Sequence, residues 1–184
     1  MDYQTTSFMV GEAARVTVAA IFGLAAIHAM QEWTTFGAIV EEYRILPRRP
    51  ARIAAGILPP MQLAIAVGLI LPMTSRIGAV LGFCLMVLFT GAIIVNIARG
   101  RVTIECGCGG AAGQRLSAGL VLRNLAILLG LAIACFAPPR GILDAASIVG
   151  TMGASLALIA LYFTAGQLMT NSQPVHEMNP RSRS

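Results

Sequence analysis

The chain has 184 residues, of which 57% are hydrophobic and 11% charged, against roughly 25% charged in an ordinary soluble domain. Mean hydropathy is +0.77, and the net charge of +5 comes from arginine with no lysine. These figures exclude a soluble globular enzyme, a disordered chain and a coiled coil, and describe a polytopic membrane protein of one domain. Arginine in such a protein belongs to loops near lipid headgroups. No zinc-finger spacing and no basic stripe interleaved with aromatics points to nucleic acid.

A bilayer core of about 30 Å takes about 20 helical residues. Five apolar runs meet that length: about 10–30, 53–71, 77–98, 116–137 and 142–166. They read as helices because backbone groups in lipid must be satisfied within the segment, and none alternates as a barrel strand would. The predicted class is therefore all-α: a polytopic membrane helix bundle with a four-helix core and a fifth transmembrane helix, forming one unit over 1–170. The first run lacks a basic leader; Asp2 precedes it and Glu12 lies near its start, so it reads as a retained helix.

The connections differ in character. Residues 31–52 carry Glu41, Glu42, Arg44, Arg48, Arg49 and Arg52. Within them Phe36, Ile39, Val40, Tyr43 and Leu46 recur at helical spacing, predicting an interfacial amphipathic helix ended by Pro47. Trp33 and Tyr43 suit the headgroup level. Pro59 and Pro60 should kink the second span. Gly78 and Gly82 form a small-xxx-small pair that predicts close helix packing. The polar segment 171–184 reads as a flexible tail.

The third connection contains Glu105-Cys106-Gly107-Cys108-Gly109-Gly110. Two thiols one residue apart can close a small ring, and the glycines permit the backbone angles it needs. Such a ring departs from ideal disulfide geometry and is easily reduced, which suits exchange better than a structural staple. The pair precedes a helix start, where free N–H groups favour a thiolate. Arg115 and Arg123 would add positive potential, and Glu105 opposes it. Spacing alone leaves three readings open: a redox dithiol, a structural disulfide or idle thiols, and a metal site. The metal reading lacks ligands, because His28 and His176 are the only histidines. Cys84 and Cys135 read as small buried hydrophobes.

Arg123 and Asn124 fall about two turns into the fourth span. An arginine at the bilayer centre costs at least about 2.5 kcal/mol on insertion scales, so it should face the bundle interior or snorkel. Glu12, Arg15, His28, Gln62 and Asn96 are the other polar groups in or beside spans. Two readings apply to this set: a polar pocket that holds a quinone or tunes the thiols, or interhelical hydrogen bonds that fix the bundle. Paired interrupted half-helices, the mark of a permease, are lacking.

Several of these residues occur together in a known family. His28 near the end of the first span is followed by Tyr43-Arg44-Ile45-Leu46-Pro47 and then Pro60-Met61-Gln62. Cys106-Gly107-Cys108-Gly109-Gly110 and Arg123-Asn124 complete the order. This pattern, over about residues 10–135, resembles the MauE family within the wider DoxX-like membrane group. The resemblance implies an inner-membrane protein needed for maturation of methylamine dehydrogenase, whose small β subunit is dense in disulfides. It implies a thiol–disulfide oxidoreductase component acting through Cys106 and Cys108, with Arg123 and Asn124 in support and a periplasmic thioredoxin-like partner, MauD. A non-enzymatic membrane assembly or transport factor for the same subunit is the alternative. Many members of the wider group carry a bulky residue at the place of Gly109 and Glu at the place of Gln62. A looser likeness to vitamin K epoxide reductases, which place a cysteine pair before their fourth helix, raises a quinone as electron acceptor. Here the spacing is Cys-x-Cys, and the first long loop has no second pair.

Orientation brings a conflict. A periplasmic pair puts Arg44, Arg48, Arg49, Arg52, Arg99, Arg101, Arg115, Arg181 and Arg183 outside, with only Arg15, Arg76 and Arg140 inside. The positive-inside rule favours the reverse, whereas disulfide chemistry requires an oxidising compartment. The family resemblance implies the periplasmic side.

Overall fold

The computed structural model describes residues 3–101, 116–137 and 145–171. Among the described residues there are six helices: α1 (Tyr3–Gln31), α2 (Trp33–Glu42), α3 (Arg48–Ile70), α4 (Ser75–Ala98), α5 (Ala118–Phe136) and α6 (Ala145–Asn171). Five of them, all but α2, are long and apolar enough to cross a membrane. α1, α3 and α6 extend beyond the expected runs. Polar residues such as Gln4 and Thr5 at the start of α1 and Arg48 and Arg49 at the start of α3 continue the helix without being apolar.

Four helices close a ring: α1 packs on α3, α3 on α4, α4 on α5, and α5 back on α1. Its core is built from Val18, Phe22, Ile65, Leu69, Leu85, Ile127 and Leu131. α6 lies outside the ring and packs chiefly along α1. Its buried residues include Ser147, Thr151 and Ser155, small residues four apart that let the two helices approach closely. The Ser155 hydroxyl donates to the Thr151 carbonyl at 2.9 Å.

The amphipathic helix forms, but it ends earlier than the sequence predicts. Phe36 packs with Ala29 and Ala55, and Val40 lies against them. After Glu42 the chain leaves the helix, and Arg44 takes φ 45°. That left-handed turn carries Leu46, expected on the apolar face, out to 47% exposure. Glu41 then holds the start of α3 by contacts to Arg48 at 3.4 Å and Arg52 at 3.2 Å. α3 runs on through Pro59 and Pro60 as one helix.

The glycine pair on α4 behaves as its spacing predicts. A Cβ at Gly78 would stand 2.9 Å from the backbone of Gly68 and Leu69 on α3. At Gly82 it would meet only side-chain ends, Leu131 Cδ2 at 2.9 Å and Ile65 Cγ2 at 3.2 Å. Backbone cannot rotate away as a side chain can. Gly78→Ala should therefore cost about 1–3 kcal/mol as overpacking. Gly82→Ala should cost less, because repacking and the higher helix propensity of alanine offset the contact. Thermal unfolding of the two variants in detergent micelles checks this; equal losses would contradict it.

Two expectations need correction. Cys84 is exposed on the outer face of α4, not buried, while Cys135 is half-buried. The lipid-facing side of a membrane helix is as apolar as its core side, so hydrophobic neighbours do not mark burial. His28, expected among interior polar groups, is exposed near the end of α1. At a helix end its ring needs no interhelical partner.

Candidate functional site

Cys106 and Cys108, with Glu105 and Arg115, lie outside the described residues, as does the tail from 172 onward. The structure defines the ground on which the cysteine loop stands. α4 ends at Ala98 with Arg99 as its cap, and Gly100 takes φ 72°, the left-handed conformation that glycine supplies at a helix C-terminus. The Arg101 N–H returns to the Asn96 carbonyl at 3.0 Å. On the far side of the loop, Leu116 and Leu120 are buried with Ile93, and Tyr43 packs against them. The Arg99 guanidinium reaches the Arg44 carbonyl at 3.4 Å. The first connection and both ends of the cysteine loop therefore share one end of the bundle, ringed by Arg44, Arg99 and Arg101.

Beneath that end lies the polar interior. Arg123 is 6% exposed and Asn124 is 1% exposed, consecutive residues of α5 that turn inward. The Arg123 guanidinium carbon sits 5.1 Å from the ring centroid of Tyr162 on α6. A cation over an aromatic face is attracted by the ring quadrupole, the more so without water. Gln62, from the middle of α3, is also buried and shares a small cavity with Arg123 and Asn124. Gln62, Arg123 and Asn124 thus line one small polar cavity.

The other polar groups of the spans lie elsewhere. Asn96 is fully buried near the loop end of α4, its amide donating to the Ala92 carbonyl at 3.0 Å. Glu12 and Arg15 are buried at the opposite end of the bundle and form an ion pair with each other. Arg15 Nη2 also donates to the carbonyls of Ala134 at 3.2 Å and Ala137 at 3.1 Å. Residue 138 is proline and has no N–H for the Ala134 carbonyl, so the arginine takes a role the helix ladder cannot fill. The spacing of Glu12 and Arg15 within an apolar run could have indicated the pair. Tyr162 had no such signal, because its partner lies 39 residues earlier on another helix.

A second space runs between α1, α5 and α6. It is a groove of about 740 Å3, open on one side, with Ala13, Thr17, Ile127, Gly130, Ala154 and Tyr162 among its walls. Its surface is almost wholly apolar, and Arg123 stands between it and the small polar cavity.

A closed ring of apolar helices around buried arginine and amide groups defines a multi-pass membrane helix bundle. The family model for methylamine utilisation protein MauE matches residues 7–137. The chain belongs to that family. It is similar to methylamine utilization protein MauE of Methylorubrum extorquens, 40% identical over 147 residues that cover 75% of this chain and 76% of that protein. The protein of the same name from Paracoccus denitrificans is 34% identical over 165 residues, 87% of each chain. The one from Paracoccus versutus is 36% identical over 162 residues, 85% of each. No solved structure matches the chain. Membership places the chain in the methylamine utilisation system. The family match ends with α5, so it spans the four-helix ring and leaves α6 outside.

Proposed function

We propose that this chain is an inner-membrane thiol–disulfide component that matures methylamine dehydrogenase. Cys106 and Cys108 carry the chemistry. In the oxidised loop, a thiolate of the β subunit attacks one sulfur and forms a mixed disulfide. A second thiolate of the subunit resolves it, leaving a disulfide in the subunit and two thiols in the loop. The disulfide of a periplasmic thioredoxin-like partner then accepts the two electrons and restores the loop. Arg123 lies about two turns below the loop and adds positive potential; Asn124 helps to hold α5 in place.

The observation that carries this reading is the Cys-Gly-Cys loop itself, in a member of a methylamine utilisation family. Its two ends are pinned to the bundle by Ile93, Leu116, Leu120 and Tyr43. A glycine-rich loop whose ends stand on the buried bundle can offer its thiols to a partner.

Compartment is the first test. In a chain with Cys84→Ala and Cys135→Ala, a membrane-impermeant maleimide is applied to intact cells, with and without prior reduction. Labelling of Cys106 and Cys108 only after reduction is the expected result and means an oxidised pair outside the inner membrane. Labelling confined to lysed cells would place the loop in the cytoplasm, as the arginine distribution favours, and end the periplasmic exchange reading.

A further inference from the structure

At the axis of the ring the polar groups enclose a small space. Gln62 of α3 and Asn124 of α5 line a cavity of about 20 Å3, with Arg123, Phe22, Met86 and Phe89 in its wall. All four helices of the ring contribute. α3 and α5 stand diagonally across the ring, because each packs on α1 and α4. The Asn124 side chain is 1% exposed, and its Nδ2 has no hydrogen-bond partner among the described residues.

That arrangement is costly if the space is dry. A buried amide left without a partner costs about 1–3 kcal/mol. Lipid offers no hydrogen bond, so relief must come from inside the bundle. A single water needs about 10–15 Å3 for its centre and two to four polar partners. The cavity meets the volume for one water and not for a larger ligand. The two amides and the guanidinium supply both donors and acceptors.

We propose that this cavity holds one ordered water, hydrogen-bonded to the amides of Gln62 and Asn124 and so linking the diagonal helices α3 and α5. The site stands on the described core and does not depend on the cysteine reading.

Pulsed X-ray radiolysis of the detergent-purified full chain tests it, with oxidised side chains read by mass spectrometry. A water fixed beside a side chain becomes a hydroxyl radical and oxidises that neighbour. Met86 is 7% exposed, so bulk solvent has little access to it, yet the bound water should make it oxidise readily. Gln62→Leu removes a partner and fills the space, and should abolish that oxidation while Met73, 95% exposed, remains labelled. If Gln62→Leu does not fold, Gln62→Met keeps the length of the side chain and serves as the deciding variant. A parent chain in which Met86 stays unoxidised would mean a dry cavity and overturn the proposal. Undiminished oxidation of Met86 in the folded variant would overturn it too.

Discussion

A chain carrying both Cys106→Ser and Cys108→Ser should accumulate in the membrane as the parent does, yet leave methylamine dehydrogenase activity at the level of a strain lacking the gene. Serine preserves size and polarity in the loop but cannot form the sulfur–sulfur bond that exchange requires. The fold should survive because the residues that anchor the loop, Ile93, Leu116 and Leu120, lie outside the Cys-Gly-Cys segment. Single variants add detail. The one that keeps the attacking thiol and loses its neighbour can form the mixed disulfide but not resolve it. It should trap its partner as an adduct that disappears on reduction, which identifies the attacking cysteine. If the cysteines only stiffen the loop, single variants would lower the protein level and leave the partner's oxidation state unchanged. Normal β-subunit disulfides in the double variant would sink the exchange reading.

Replacing Arg15 with methionine should destabilise the bundle by about 3–5 kcal/mol, the usual cost of removing one member of a buried ion pair. Glu12, 4% exposed, would lose the arginine it pairs with. The Ala134 and Ala137 carbonyls at the end of α5 would lose their donor as well. The double variant Glu12→Gln, Arg15→Met removes that carboxylate too and should recover most of the loss, since replacing a whole buried pair is often near neutral. Unfolding midpoints in detergent for the parent, the single and the double variant check this. Equal loss in the single and double variants would mean that packing of the arginine stem, not charge, carries the effect.

How much of this was legible depends on which force wrote it. The five spans were plain, because lipid demands long apolar helices whatever their neighbours. Which face of each span turns inward was not, because core and lipid are alike to an apolar side chain: Leu88 is 69% exposed and Ile93 fully buried on the same helix. Polar and small residues broke that symmetry. Gln62, Asn96, Arg123 and Asn124 are all buried, as the cost of polar groups in lipid requires. Gly78 marked the close approach of α3 and α4. Glu12 and Arg15 were visible as polar groups, but their union with the end of α5 was not, since it depends on a contact across more than a hundred residues. The cysteine pair was read from spacing and family resemblance, and the structure describes the two helix ends that bear it.

The closure of the ring by α5 on α1 sets an order of assembly. As the chain leaves the ribosome, the spans α1, α3 and α4 can pair in sequence, α3 with α1 and α4 with α3. They form an open row whose inner side still faces lipid. α1 waits there with Arg15 paired to Glu12 and the Ala134 and Ala137 carbonyls not yet made. Only when α5 is synthesised can the row curl shut, and the same event supplies those carbonyls and draws Arg123 and Asn124 to the axis opposite Gln62. α6 then settles on the outside of α1 and brings Tyr162 to the arginine. The segment that joins the row to its closing helix is the cysteine loop, so its two ends reach their final seat in the step that completes the ring.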